Sequence, residues 1–261
     1  GTNEQKIIKY KNPSFILTRD HRAVYDYNDK NVYCYLIDKD FVSKLNVETG
    51  LWESTSAYER PGNMQRYQHH NSIYSQLDNS IYTFGGYGQY SYNKEVKRVN
   101  LKEGISDVIS TNDSLFHPRY LAGIGSLNDT IYLLGGYGST SGNQLVNPKN
   151  YFDLLGYSVQ DKKFIKKFEI PQILDDMIVG NNMWIDSKNR DFYALISDKT
   201  KYDGVLQLLR GNLDKPKAEL VGSKIPFKYL DVKSFATLFY MSKQKKLLSY
   251  TSFVEDSGNT E

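Results

Sequence analysis

A twelve-residue phrase occurs twice, LDNSIYTFGGYG at Leu77–Gly88 and LNDTIYLLGGYG at Leu127–Gly138, offset by fifty residues. Such an offset restricts the chain to copies of one supersecondary unit, and a period near fifty is what a four-stranded blade needs. Each part of the phrase has a physical role. Asp78-Asn79 and Asn128-Asp129 read as two-residue hairpin turns, because both residue types tolerate positive φ. The unbroken apolar runs that follow, Ile81–Phe84 and Ile131–Leu134, lack helical spacing and read as strands covered on both faces. The glycine pairs Gly85-Gly86 and Gly135-Gly136 then allow backbones to approach closely or to turn where a Cβ would clash.

Three more hairpins follow the same grammar: YNDKNVYCYL from Tyr27, DSKNRDFYAL from Asp186 and MSKQKKLLSY from Met241. The five hairpins fall near residues 24–37, 72–86, 122–136, 183–197 and 236–251. Their anchors Tyr33, Tyr82, Tyr132, Tyr193 and Leu248 are spaced by 49, 50, 61 and 55 residues. A second element recurs independently as KLNVETG, RVNLKEG, GYSVQDK and RGNLDKP. Its reference residues Asn46, Asn100, Ser158 and Asn212 are 54, 58 and 54 apart, the pattern of a third strand ending in a bend. The expected fold is therefore all-β, in four-stranded antiparallel units, with helix nearly absent.

Composition narrows the function classes. A net charge of +3 comes without a basic run longer than a pair, so no nucleic-acid partner is expected. No apolar stretch approaches the roughly 18 residues of a membrane span. Cys34 is the only cysteine and no internal disulfide can form. The 22 tyrosines favour strands and leave polar tips for a ligand.

The double glycine after an apolar strand, Arg66-Tyr67 and Pro118-Arg119 upstream of it, and Trp52 after Thr49-Gly50 resemble Kelch repeats. The resemblance covers most of the chain but is degenerate: only the second and third units keep both glycines, and Ser106 and Phe164 stand where the tryptophan would recur. It implies a β-propeller of the galactose-oxidase-like central domain superfamily, a single domain over 1–261. Five blades are visible, as in a truncated six- or seven-bladed propeller. The fifth lacks its outer half. Either an amino-terminal strand with Ile7, Ile8 and Tyr10 closes it, or the natural chain continues, and the second is the favoured expectation.

In such blades the connections between the second and third strands, and between blades, share one face. That face carries the long loops Tyr87–Glu95 and Tyr137–Asp153, Arg60–His70 and His117–Tyr120, and long loops beside rigid sheets are where recognition residues concentrate. The candidate binding residues are Arg66, Tyr67, His69, Tyr90, Tyr92, His117, Arg119, Tyr120 and Tyr151, with Tyr90 and Tyr92 as favoured anchors in a loop that need not bury them. These types suit a sugar, a carboxylate or a peptide. The Arg-Tyr pairs can instead order the inner strands.

Catalytic and metal readings find less support. Adjacent His69 and His70 point to opposite sides of a strand, so at most one joins a metal cluster with His117. The copper oxidases of this fold need a Tyr cross-linked to Cys, whereas Cys34 sits in an inner-strand run as a buried thiol. GGYGSTSG lacks the Lys-Ser/Thr end of a phosphate loop. Asp38 with Asp40, and Asp175 with Asp176, read as solvated pairs. No catalytic residue, metal or cofactor is assigned. The expected function is a recognition module for a protein or carbohydrate partner, as a free subunit or as the extracytoplasmic sensing part of a larger signalling protein. The alternative is a sugar-active propeller similar to the Kelch-type mutarotases or epimerases of sialic acid.

Overall fold

A computed structural model describes residues 21–26, 29, 31–54, 66–109, 114–231 and 233–254. The expectations placed on Ile7, Ile8, Tyr10, Tyr27, Arg60–Gln65 and the last residues of the chain lie outside them. Among the described residues the chain is all-β. The only helical element among them is the short 3-10 turn Ile37–Lys39, and no helix is long and apolar enough to cross a membrane.

The described strands include five antiparallel hairpins. Arg22–Asp26 pairs with Asn31–Leu36, Gly123–Leu127 with Thr130–Gly138, Met177–Ile185 with Asp191–Asp198, and Ser234–Met241 with Lys246–Phe253. Asn71–Ser75 neighbours Ser80–Phe84 in the same way along its sheet. Four of the hairpins extend into four-stranded meanders through third strands at Phe41–Leu45, Val96–Asn100, Lys149–Ser158 and Asp203–Asn212. Fourth strands follow at Trp52–Ser54, Ser106–Ile109, Lys163–Glu169 and Lys215–Lys228. The fifth hairpin is a two-stranded sheet.

The recurring bend has one physical cause. Asn46 Oδ1 accepts from the backbone N–H groups of Glu48 and Thr49, and Asn100 Oδ1 from those of Lys102 and Glu103. Ser158 Oγ accepts from Asp161, and Asn212 Oδ1 from Asp214. A short polar side chain thus supplies the turn's missing acceptor each time. The next residue then donates its backbone N–H to the turn of its own inner hairpin: Leu101 to Asn79 at 3.0 Å, Val159 to Asp129 at 3.0 Å, Leu213 to Arg190 at 2.9 Å. In three meanders, two turns distant in the sequence are locked together.

One turn differs from its sequence reading. Asn128-Asp129 is a two-residue turn between paired Leu127 and Thr130. Asp78-Asn79 instead ends a four-residue turn, since the strands stop at Ser75 and resume at Ser80; only Asn79 there has positive φ, 52°. Tyr74 donates to Asn79 Oδ1 at 2.6 Å and holds the wider loop.

Contacts divide the described residues into two compact units. One holds those up to 54 with Tyr74–Tyr82 and Lys97–Val108; the other holds Arg66–Ile73, Thr83–Val96 and those from Ile109 onward. In the first, Asp40 accepts from Lys97 Nζ at 2.5 Å and Ser106 Oγ at 2.8 Å, with both charged side chains buried. Asp40 is therefore an internal ion-pair partner and not the solvated half of an acidic pair. Cys34 is buried here, and burial pushes its thiol up to about 12.

In the second unit the first strands of successive meanders lie side by side. Ile124 pairs in parallel with Asn182, and Asn71 Nδ2 donates to the Ala122 carbonyl and to Asn181 Oδ1. A Cβ on Gly180 would come within 3.2 Å of the Ala236 carbonyl oxygen. The core beneath is apolar, built from Leu134, Leu154, Met177, Val179, Phe192 and Leu209, each almost wholly buried.

The repeated glycines sit where backbones touch. Gly85 and Gly135 share φ of 63°, and Gly86 and Gly136 have φ of 117° and 109°. A Cβ on Gly85 would stand 2.3 Å from the Arg119 carbonyl oxygen, and one on Gly135 3.0 Å from that of Tyr151. Valine at either position meets both a forbidden φ and an occupied space. Gly85→Val and Gly135→Val should each lower stability by more than about 1 kcal/mol in denaturant unfolding. The loss should be larger at Gly85, where the neighbouring carbonyl is closer; equal, negligible losses would contradict the packing account.

Candidate functional site

The two long loops expected to carry recognition are joined. Tyr87–Gly88 and Ser91–Tyr92 form a small hairpin whose tip, Gln89 and Tyr90, has φ of 52° and 63°. The second loop runs along it: Ser91 bridges Asn143, Tyr92 N–H donates to the Gly142 carbonyl at 2.7 Å, and Gln144 N–H to that of Tyr90 at 3.1 Å. Tyr87 Oη donates to Gln144 Oε1 at 2.5 Å. Gly142 is the residue that permits this approach, since a Cβ there would press on the Tyr92 carbonyl. The side chains left at the tip are apolar and exposed: Tyr90 at 73%, Leu145 at 83% and Val146 at 45%.

At the foot of the joined loops lies a tyrosine cluster. Tyr87, Tyr92 and Tyr120 pack with ring centroids 5.3–5.6 Å apart, and Tyr137 meets Tyr92 at 6.0 Å. Tilted and edge-on packing of this kind adds to the burial of the rings. Asp231 serves the cluster as acceptor for Tyr120 Oη at 2.6 Å. Burial, and then the Asp231 carboxylate, push the Tyr120 and Tyr229 hydroxyls well above their ordinary values. Burial likewise raises Tyr87, Tyr92 and Tyr137. Lys199 places its ammonium 3.2 Å from the Tyr137 ring centroid. Burial lowers that lysine while Asp231 and Asp176 oppose the shift.

The sequence-predicted residues therefore divide. Tyr92 and Tyr120 join the tyrosine cluster, and His69, with φ of 47°, stacks on Phe235 at 4.7 Å along its edge. Tyr92 is not the loosely held loop residue the sequence suggests: it is buried, because the second loop folds over it. Tyr90 alone of the favoured pair faces solvent. Arg66 is exposed and lies 3.6 Å from Glu95, whose carboxylate also accepts from the buried Tyr67 hydroxyl.

His117, Arg119 and Tyr151 form a second group. The Arg119 guanidinium is buried and makes a two-pronged pair with Asp153, at 2.6 and 3.0 Å. It also donates to the carbonyls of Gly135 and His117 and lies over the Tyr151 ring at 4.0 Å. His117 stacks on the same ring, and burial, with the neighbouring Arg119, lowers its pKa. With its fork filled by protein acceptors, Arg119 acts as a joint between strands.

Three participants carry little signal in the sequence. Asp231 and Lys199 lie on short connections with no motif around them, and Asp176 reads there only as half of an acidic pair. In the other unit a cavity of about 280 Å³ opens among tight turns, lined in part by Asp26, Asp29, Asp78, Asn100, Lys102 and Glu103. Sequence reasoning expects little from such turns, and their Asp and Asn residues are the only signal of it. Among the described residues no group of three His, Cys, Asp or Glu side chains is placed to hold a metal ion.

Comparison with protein-family models and with curated proteins returns no match for this chain.

The two groups respond differently to mutation. Asp153→Ala strands a buried guanidinium and should cost about 3–5 kcal/mol in chemical unfolding. Tyr92→Ala opens the cluster and should cost about 3 kcal/mol or more, whereas Tyr90→Ala should stay within about 0.5 kcal/mol of the parent. Equal effects at Tyr90 and Tyr92 would contradict the burial described.

Proposed function

We propose that the chain is a Kelch-like β-propeller, or a piece of one, and that its long-loop face is a recognition surface for a protein partner. The propeller reading is supported by the repeated up-and-down meanders, whose first strands run side by side in the second unit. It is supported also by the glycine pairs at matching places in two of them.

The recognition reading rests on one observation: Tyr90, Leu145 and Val146 stand exposed at the tip of two loops that hydrogen-bond to each other. Large apolar side chains exposed on rigid, cross-braced loops contribute nothing to the core. They are the kind of patch that marks contact with another protein. Bracing matters because a pre-ordered loop loses less entropy on binding than a free one. Engagement of Arg119 with Asp153 supports recognition over sugar catalysis, since a sugar-active cup would ask for that guanidinium in the open. The parent protein's role as an extracytoplasmic sensor is part of the same proposal.

The test is a partner captured by affinity from the native source and then measured against variants. Tyr90→Ala with Leu145→Ser should weaken that complex by about 2 kcal/mol or more while leaving the melting temperature unchanged. Undiminished affinity, with loss on changing Asn128 or Asp129 instead, would move the site to the opposite turns.

A further inference from the structure

Lys199 stands apart from the other charged side chains of the second unit. Its ammonium rests on the Tyr137 face at 3.2 Å from the centroid, and no hydrogen-bond acceptor or ion-pair partner lies within reach of it among the described residues. A buried or half-buried ammonium normally takes two or three acceptors. Here the ring is the direct contact, with the Asp231 and Asp176 carboxylates acting from beyond hydrogen-bond distance.

The surroundings of that ring are short of cations and rich in acceptors. Asn150 stands directly opposite Tyr137 in the strand pairing, and its Oδ1 is buried with no donor. Its Nδ2 donates to Asp176 Oδ1 at 3.2 Å and to the Asp175 carbonyl at 3.1 Å, which fixes which end of the amide is left over. The Lys199 backbone N–H donates to the Asp176 carbonyl at 2.7 Å, so lysine, Asn150 and Asp176 meet around one ring. Asp231 adds negative charge from the adjoining tyrosines. A ring face backed by carboxylates, with a buried acceptor that lacks a donor beside it, suits a cation that carries several N–H donors.

We infer that the Tyr137 face is a subsite for an arginine side chain of the protein partner, and that Lys199 occupies it in the unbound state. The incoming guanidinium, whose planar fork of N–H donors extends farther than a lysine's ammonium, would take the ring face and donate to Asn150 Oδ1, and the long, flexible stem of Lys199 would swing to solvent. The lysine thereby acts as a built-in competitor. It keeps the face from standing empty and raises the threshold for any cation that cannot also satisfy Asn150. This inference rests on the recognition reading and specifies the chemistry at the foot of the same loops.

The experiment uses the full chain, isotope-labelled for amide NMR, titrated with N-acetyl-arginine amide and with N-acetyl-norleucine amide as the uncharged comparison. The parent, Lys199→Met and Lys199→Gln are compared; the methionine variant keeps the apolar stem, and the glutamine variant serves if methionine perturbs the fold. The arginine probe should shift the amides of Tyr137, Asn150 and Lys199. It should bind a lysine-free variant about tenfold more tightly, as expected if the lysine holds the face roughly nine-tenths of the time. Equal affinity for parent and variants, or equal binding of the norleucine probe, overturns the inference. So does the absence of shifts up to about 50 mM probe, where even a millimolar complex is close to saturation. Shifts confined to Tyr90 and Leu145 would overturn the subsite and leave the recognition face standing. Shifts confined to Asp78-Asn79 or Asn128-Asp129 would remove both.

Discussion

Arg119 joins two meanders through three different kinds of contact, and the second unit depends on them. Its carbonyl accepts from Gly86 and its N–H donates to Asn93, which fixes it to the meander that precedes it. Its guanidinium reaches Asp153 and the Gly135 carbonyl in the meander that follows. Such a residue is costly to bury and tolerable only because each guanidinium nitrogen finds an acceptor. The glycines are the other half of the arrangement: Gly85 and Gly136 have no side chains where the Arg119 and Tyr120 backbones come close, and Gly86 has none where the Tyr67 backbone does. One buried cation thus sets the position of both long loops, because each loop leaves its sheet beside a glycine pair that Arg119 touches.

That arrangement explains why the functional side chains gather as they do. The loops leave adjacent meanders in register, so the backbone of one can hydrogen-bond to the other. Pairing them buries Tyr92 and turns Tyr90, Leu145 and Val146 outward. The cluster below is closed from the far side by Tyr229 and Asp231, which come from the connection before the last hairpin. Aromatic packing, the Asp231 carboxylate and one lysine therefore converge from five stretches of chain.

Local elements are legible in the sequence because their causes are local. The period, the positive-φ Asn at the turns, the acceptor side chains at Asn46, Asn100, Ser158 and Asn212, and the glycine pairs are each decided within about six residues. The long loops are legible too, through their length. Their conformations are not, because Tyr92 is buried by a loop fifty residues away and its flanking serine and asparagine give no hint of that. Asp231 and Lys199 leave no mark for the same reason: their role depends on which ring they meet in three dimensions. The first turn of the repeated phrase reads as two residues but spans four, because Tyr74, upstream of it, bonds to Asn79 and stabilises a wider loop.

The locked turns described for three meanders have a consequence for engineering. The inner hairpin turn and the bend after the third strand hold each other, so the sheet is fixed from one end alone. The connection at the other end is then free to vary in length. It spans ten or more residues in the second and third meanders but only Lys199–Tyr202 in the fourth, with no difference in how the sheet is built. The fourth meander is accordingly a natural acceptor for a grafted peptide, whose ends would be held by a scaffold that already tolerates such variation in its neighbours.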